Sequence, residues 1–273
     1  VSINHSTSPV EIVASPLRHR DLLWELTKRD FIGRYKGSVL GIVWSLFNPM
    51  LMLAIYTFVF SVAFKAKWGA GEESKVAFAI VLFSGMIVHS FFSECLNRAP
   101  TLIISHPNYV KKVVFPLEIL PWMTLLSAAM HFLVSFGVLL VFCLLAGVAV
   151  HVGTLLIPIS LIPLILMMLG LSWLFASLGV YLRDLSQVIG MVTTVALFMA
   201  PVFYPIEILP DAYQTILTWN PLTLPIIQFR DLMLWGKPIQ WGNWAISLVV
   251  GLGICQAGHW WFQKSRRGFA DVL

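Results

Sequence analysis

Six stretches of this chain, at about 40–62, 76–96, 121–146, 154–180, 186–204 and 242–262, are each long and apolar enough to cross the roughly 30 Å of hydrocarbon in a bilayer. In lipid every backbone N–H and C=O must be satisfied internally, so apolar runs of this length predict α-helices. Composition agrees: 58% of residues are hydrophobic and 11% charged, against about a quarter charged in soluble domains. The fold class that follows is an all-α membrane protein with six transmembrane helices.

Charge placement orients it. With the N-terminus cytoplasmic, most lysines and arginines fall on the cytoplasmic side, and only Lys65, Lys67, Lys75, Arg230 and Lys237 fall on the other. By the positive-inside rule both termini are then cytoplasmic. The net charge of +5 is spread by membrane side and forms no concentrated basic face, so no nucleic-acid partner is expected. The first apolar run begins only near residue 39, which argues for uncleaved insertion through the first span. Cys95, Cys143 and Cys255 fall in or beside different spans with no paired spacing, so neither a disulfide framework nor a metal site is expected.

Residues 1–16 hold Ser, Thr, Asn and two prolines without apolar period and read as a flexible N-terminal tail. From Leu17 to Tyr35 a helical projection places Arg18, Asp21, Glu25, Lys28 and Arg29 on one arc, opposite Leu22, Leu23, Leu26, Phe31 and Tyr35. This is an amphipathic interface helix lying along the cytoplasmic membrane face, with Glu25 placed to pair with Arg29. Gly33, Gly37 and Gly41 follow at four-residue spacing, with Ser38 available to cap the first span. Small residues so spaced allow close helix approach; equally, Gly33 and Gly37 can simply supply the bend into the span.

The first span carries Asn48-Pro49 in its interior, a kink signal. Tyr56, Phe60 and Phe64 recur at helical spacing, as packing residues or as an aromatic track. Between the second and third spans, Asn97 to Glu118 includes an amphipathic stretch from Thr101 to Val114 bracketed by Pro100 and Pro116. It is either a solvated loop or a contact platform for a soluble partner. Arg183-Asp184 makes a tight turn. From Tyr204 to Trp241, five prolines interrupt apolar pieces too short to cross, which suits re-entrant or interfacial helices. Trp219, Trp235, Trp241 and Trp244 fit an outer aromatic belt.

The sequence contains no GxxxxGK[ST] phosphate loop, and no HExxH or GxSxG. The ionisable residues inside spans are chiefly His89, His131 and Glu94, the last one turn from Arg98 and near a cytoplasmic end, away from the midplane position that proton coupling would favour. Energy for any transport must then come from another subunit, unless the chain is a passive channel.

The runs "LLWELTKRDFIGRYKGSVLGIVWSLFNPMLMLAIYTFVFS", "HPNYVKKVVFPLEILP" and "LGVYLRDLSQVIGMVTTVALFMAPVFYPIEILP" with "WNPLT" closely resemble the membrane-spanning subunit of type 2 ABC exporters of polysaccharides, the group that moves O-antigen, capsule or teichoic acid precursors. The likeness covers about residues 17–262 in order and with matching spacing. It implies a permease homodimer joined to two copies of a separate ATP-binding ABC subunit. That subunit binds ATP and Mg, and this chain binds no cofactor, is not an enzyme and has no metal site. The substrate implied is a lipid-linked polysaccharide, most like O-antigen, crossing the bacterial inner membrane. Rival readings are an exporter of capsule or teichoic acid, an ATP-independent channel, or a membrane glycan-modifying enzyme.

The resemblance also assigns parts. Residues 17–36 become the interface helix against the ATPase, about Pro100–Pro116 the cytoplasmic coupling helix, 37–264 the six-span permease domain and 265–273 a cytoplasmic tail. Coupling to the ATPase falls to Asp21, Glu25, Arg29, His106, Asn108, Lys111 and Lys112, through a hinge at Gly33, Gly37 and Gly41. About Pro205–Trp235 corresponds to extracytoplasmic re-entrant helices. Channel-lining aromatics, placed by helical face, are Tyr56, Phe60, Phe198 and Tyr204.

Overall fold

A computed structural model describes residues 7–59, 75–110 and 115–272. Among these the chain is helical and contains no strand. In order it forms α1 (Pro9–Arg18), α2 (Arg20–Gly33), α3 (Val43–Tyr56), α4 (Lys75–Arg98), α5 (Pro107–Val110), α6 (Leu120–Leu145), α7 (Ile157–Ser160), α8 (Ile162–Tyr181), α9 (Leu185–Phe198), α10 (Asp211–Thr218), α11 (Thr223–Arg230), α12 (Trp241–Ser265) and α13 (Phe269–Val272). Four helical stretches are long and apolar enough to cross a membrane: Phe78–Thr101, Leu117–Leu145, Val152–Tyr181 and Trp241–Gly268. The other two expected spans are shorter apolar helices, Val43–Val59 and Leu185–Phe198. The second of these ends in turns just before Pro201, a residue that cannot donate to a continuing helix.

At the centre stands α4, packed against α3, α6, α8, α9 and α11. The most extensive contact is between α8 and α12, and glycine makes it close. A β-carbon at Gly258 would run into the Gly170 backbone, and one at Gly251 would lie 2.7 Å from the Pro163 carbonyl oxygen. In lipid no hydrophobic force drives two apolar helices together, so close backbone approach through small residues holds them by dispersion. Gly179 of α8 likewise admits the backbone of Pro100. Cys95, Cys143 and Cys255 are buried with free thiols.

Residues 9–16 are helical where composition predicts no regular structure. A helix begins at Pro9, inside the expected tail, because Ser8 accepts from the Val10 amide and Pro9 stands at the first helical position. Ile12 and Ser15 are buried, and the Ser15 hydroxyl donates to Glu118 at 3.0 Å. The interface helix is correspondingly shorter than 17–36: a break at His19 separates α1 from α2, and α2 stops at Gly33. Its buried face is Leu23, Leu26, Thr27 and Phe31, laid against α6. Leu22 is exposed, while Thr27 is buried with its hydroxyl bonded to the Leu23 carbonyl at 2.8 Å.

The expected amphipathic helix from Thr101 to Val114 is broken as far as it is described. A short 3-10 turn, Ala99–Thr101, leads through bends to the single turn of α5. His106 Nδ1 lies 2.9 Å from the Leu102 carbonyl oxygen, and Pro107 then opens α5 without needing an amide partner. Residues 111–114 lie outside the described set.

Beyond α9, α10 and α11 are each a helix of eight residues, with Asp231–Trp235 continuing α11 as one wider turn. Arg230, grouped in the sequence with outer loop charges, is instead 1% exposed. Its guanidinium donates to the carbonyls of Val81 and Val202 at 3.0 Å each, to the Ser84 hydroxyl at 3.2 Å, and to the Pro201 carbonyl. Charge counting cannot separate an arginine in water from one that spends its donors on backbone carbonyls of α4 and the turn after α9.

Candidate functional site

Helices α3, α4 and α6 and the turn after α2 enclose a cleft of about 280 Å³. Asn48, Pro49, Met52 and Tyr56 of α3, Ser90 and Glu94 of α4, and His131 and Ser135 of α6 line it, with Arg34 and Tyr35 at its foot. The spacing explains the convergence: Ser90 and Glu94, and His131 and Ser135, stand four residues apart, hence on one helix face. These are polar side chains carried by otherwise apolar helices. Facing lipid they would be costly; turned together onto one cleft they make a wettable path edged by Tyr35, Tyr56 and Phe83.

The foot of the cleft is a cluster of charged and polar side chains drawn from α2 and the turn after it, α4 and α6. Arg98 grips Asp30 in a bidentate pair, Nη1 to Oδ2 at 2.9 Å and Nη2 to Oδ1 at 2.5 Å. Arg34 donates to Glu94, and its Nη1 lies 3.1 Å from His131 Nδ1. The same nitrogen of His131 lies 3.3 Å from Glu94 Oε1, while Nε2 meets the Tyr35 hydroxyl at 2.9 Å. A neutral ring bare at Nδ1 accepts from Arg34, whereas one protonated there donates to Glu94. Phe31 covers the ring at a centroid distance of 4.7 Å. The cluster thus fastens α2 to α4 and α6. Burial pushes the Asp30 carboxyl up, but Arg98, Ser127 and Arg34 outweigh it and the net shift is below its ordinary 3.8.

On its other side α2 forms a groove of about 740 Å³ with Tyr109 and Phe115, lined also by Leu22, Glu25, Lys28, Arg29 and Ile32 among others. Arg29 donates to the Tyr109 hydroxyl. The Tyr109 ring stacks on Phe115 at 4.2 Å and on His106 at 5.4 Å. Of the residues assigned to ATPase coupling, Glu25, Arg29 and His106 therefore gather around this groove. Asp21 and Asn108 are exposed near it in sequence, and Lys111 and Lys112 lie outside the described residues. The expected Glu25–Arg29 pair gives way to the Arg29 contact with Tyr109.

The aromatic residues divide. Tyr56 lines the cleft, and Phe60 lies outside the described residues. Phe198 is 61% exposed and stacks on Phe203 at 5.6 Å, and the Tyr204 hydroxyl donates to the Phe198 carbonyl at 2.8 Å. Phe203 and Tyr56 flank the same buried group, Phe78, Val81 and Leu82. Gly33, Gly37 and Gly41 do not share a helix face. Gly33 ends α2, Gly37 and Gly41 sit in turns at φ +91° and +53°, and a β-carbon at any of the three would meet nothing within 4 Å. Ser38 bonds back to the Tyr35 carbonyl at 3.1 Å and does not cap α3.

The family model of ABC-2 type transporters matches residues 21–234, a span that takes in α2, the charge cluster, the cleft and α11. The chain belongs to the ABC-2 type transporter family. This ABC-2 transporter is 28% identical over 260 residues to the O-antigen export system permease protein RfbA of Klebsiella pneumoniae, covering 93% of this chain and 95% of the relative. It is 26% identical over 225 residues to the O-antigen export system permease protein RfbA of Myxococcus xanthus, covering 82% and 84%. It is 22% identical over 211 residues to the polysialic acid transport protein KpsM of Escherichia coli, covering 76% and 79%.

Sequence reasoning about this ABC-2 transporter missed the charge cluster as a site. Asp30 and Arg34, and Glu94 and Arg98, are each four apart, a visible pairing signal within one helix. That the two helices would exchange partners across space has no local signature.

Proposed function

We propose that this chain is the permease subunit of an ATP-driven exporter of a lipid-linked polysaccharide, working as a homodimer with two copies of a separate ATP-binding subunit in the bacterial inner membrane. The single observation that carries this reading is the polar, aromatic-edged cleft inside apolar helices, together with the family it occurs in. Sugars present hydroxyls to Asn, Ser and carboxylate side chains and an apolar face to aromatic rings. A path offering several such weak contacts suits a long repetitive polymer better than a deep pocket would. O-antigen is the favoured cargo because the likeness to the O-antigen export permeases, at 28% identity, exceeds that to the polysialic acid transport protein, at 22%.

On this reading α3 and α9 complete six spans and both termini are cytoplasmic. The groove beside Arg29 and Tyr109 receives the ATP-binding subunit, which supplies ATP and Mg, and α10 and α11 form the re-entrant outer hairpin. The channel continues from Tyr56 toward Phe198 and Tyr204 across the dimer. The test is purification of the tagged chain from its native membrane in mild detergent, followed by mass analysis and an ATP hydrolysis assay. A stoichiometric ATP-binding subunit with vanadate-sensitive turnover is the expected result. A chain that purifies alone while still moving polymer in vesicles would overturn the reading.

A further inference from the structure

We propose that Asp30, Arg34, Glu94 and Arg98 form a partner-exchanging clasp through which movement of α2 reaches the spans. The inference rests on the exporter reading and names the residues that transmit its power stroke.

Each acid in this group faces both arginines. The short, hydrogen-bonded pairs run across to the other segment, Asp30 with Arg98 and Glu94 with Arg34. The two remaining combinations are local and are longer ion pairs beyond hydrogen-bonding distance: Asp30 of α2 to Arg34 in the turn that follows it, at 3.8 Å, and Glu94 to Arg98 within α4, at 3.9 Å, each with i,i+4 spacing. The four side chains are only 15–30% exposed, so stranding any one without a partner would be strongly opposed. If α2 and the turn after it draw away from α4, however, each charge keeps the partner four residues away on its own segment and none is stranded. The arrangement has two fully paired states, one clasped and one released, as a two-position joint requires.

Two further features fit a joint. The link from α2 to α3 turns through Gly37 and Gly41 at positive φ, and a β-carbon there would touch nothing. Motion of α2 therefore need not drag α3, and the clasp is the stiffer route, leading into α4. His131 extends it to α6 through Glu94 and Tyr35. Arg34, Glu94 and His131 also floor the cleft, so exchange at the clasp reshapes the foot of the transport path.

The test uses the intact permease–ATPase complex in lipid nanodiscs and vesicles. The double variant Asp30→Arg with Arg98→Asp keeps the contact between helices but sets like charges at both own-helix positions, which disfavours the released state. It should assemble and export at least about tenfold more slowly, with more ATP consumed per polymer. Adding Arg34→Asp and Glu94→Arg restores both pairings and should recover export to within about threefold of the parent. Wild-type export by the double variant, or no recovery by the fourfold one, would overturn the clasp. Should either variant fail to assemble, spin labels at the exposed Trp24 and Thr101 of the otherwise unaltered complex decide: the distance must change on vanadate trapping, and a fixed distance overturns the proposal. A wild-type chain that binds no ATP-binding subunit would instead sink the exporter reading, and the clasp with it.

Discussion

Gly85 and Arg230 are fitted to one another: a β-carbon at Gly85 would lie 2.6 Å from Nη2 of Arg230 and 3.4 Å from the Val202 Cα. The missing side chain on α4 is the seat of the guanidinium that ties α11 to the turn after α9. Gly85→Ala should cost about 1–3 kcal/mol through overpacking. Arg230→Met should cost about 3 kcal/mol or more, since it removes the donors to three buried carbonyls. Because the two residues share one space, the double variant should lose less than the sum of the singles. Thermal melts of the purified protein measure all three, and strict additivity would refute the fit.

The α8–α12 contact makes a sharper contrast. Gly258 sits against the Gly170 backbone, whereas Gly253, on the same helix, has nothing within 4 Å of a built β-carbon. Gly258→Ala should sharply reduce the yield of monodisperse protein. Gly253→Ala should be neutral or slightly stabilising, by up to about 1 kcal/mol, since alanine is the better helix former. Equal behaviour of the two variants on size exclusion would count against glycine-mediated packing.

What the sequence made legible follows from the range of the forces concerned. Hydrophobic length is a local property, so α4, α6, α12 and the whole stretch Val152–Tyr181 that ends in α8 could be placed to within a few residues. The Asn48-Pro49 step and Tyr56 could be singled out because proline and aromatic spacing are local too. Helix α1 was missed although its signals, Ser8 and Pro9, are present; the contacts that pack it, through buried Ile12 and from Ser15 to Glu118, a residue 103 positions away, have no local signature. Glu94 was paired by spacing with Arg98, yet its close partner is Arg34, 60 residues off. Arg230 defeats charge counting for the same reason. Its carbonyl partners belong to segments 29 and 149 residues distant.

The Asp30 carboxyl offers a test by pH. Its folded value is below the ordinary 3.8, so its contribution to stability is present in full above that point and is lost as pH falls through the folded value. The melting difference between the parent and Asp30→Asn should therefore hold steady from neutral pH down to about 5 and shrink only below the unfolded carboxylate value. A difference that faded already between pH 7 and about 5 would mean that Arg98 does not hold the ionised form as the geometry implies.

The cleft itself can be blocked. Ser90 is exposed, bears a small hydroxyl, and points with Glu94 into the space between α3, α4 and α6. An indole there would narrow a cleft of about 280 Å³ without touching the groove at Arg29 and Tyr109 proposed above to receive the ATP-binding subunit. Ser90→Trp should therefore leave assembly with that subunit intact while lowering surface polymer at least about tenfold, roughly 1.4 kcal/mol or more on the transport barrier. Tyr56→Ala acts in the opposite sense on the same wall, removing a stacking surface while widening the path. Export should slow by a smaller factor, since one weak site among several is lost. If both variants export at the parental rate, polymer does not pass between these helices, and the polar lining of α3, α4 and α6 serves only the charge cluster at its foot.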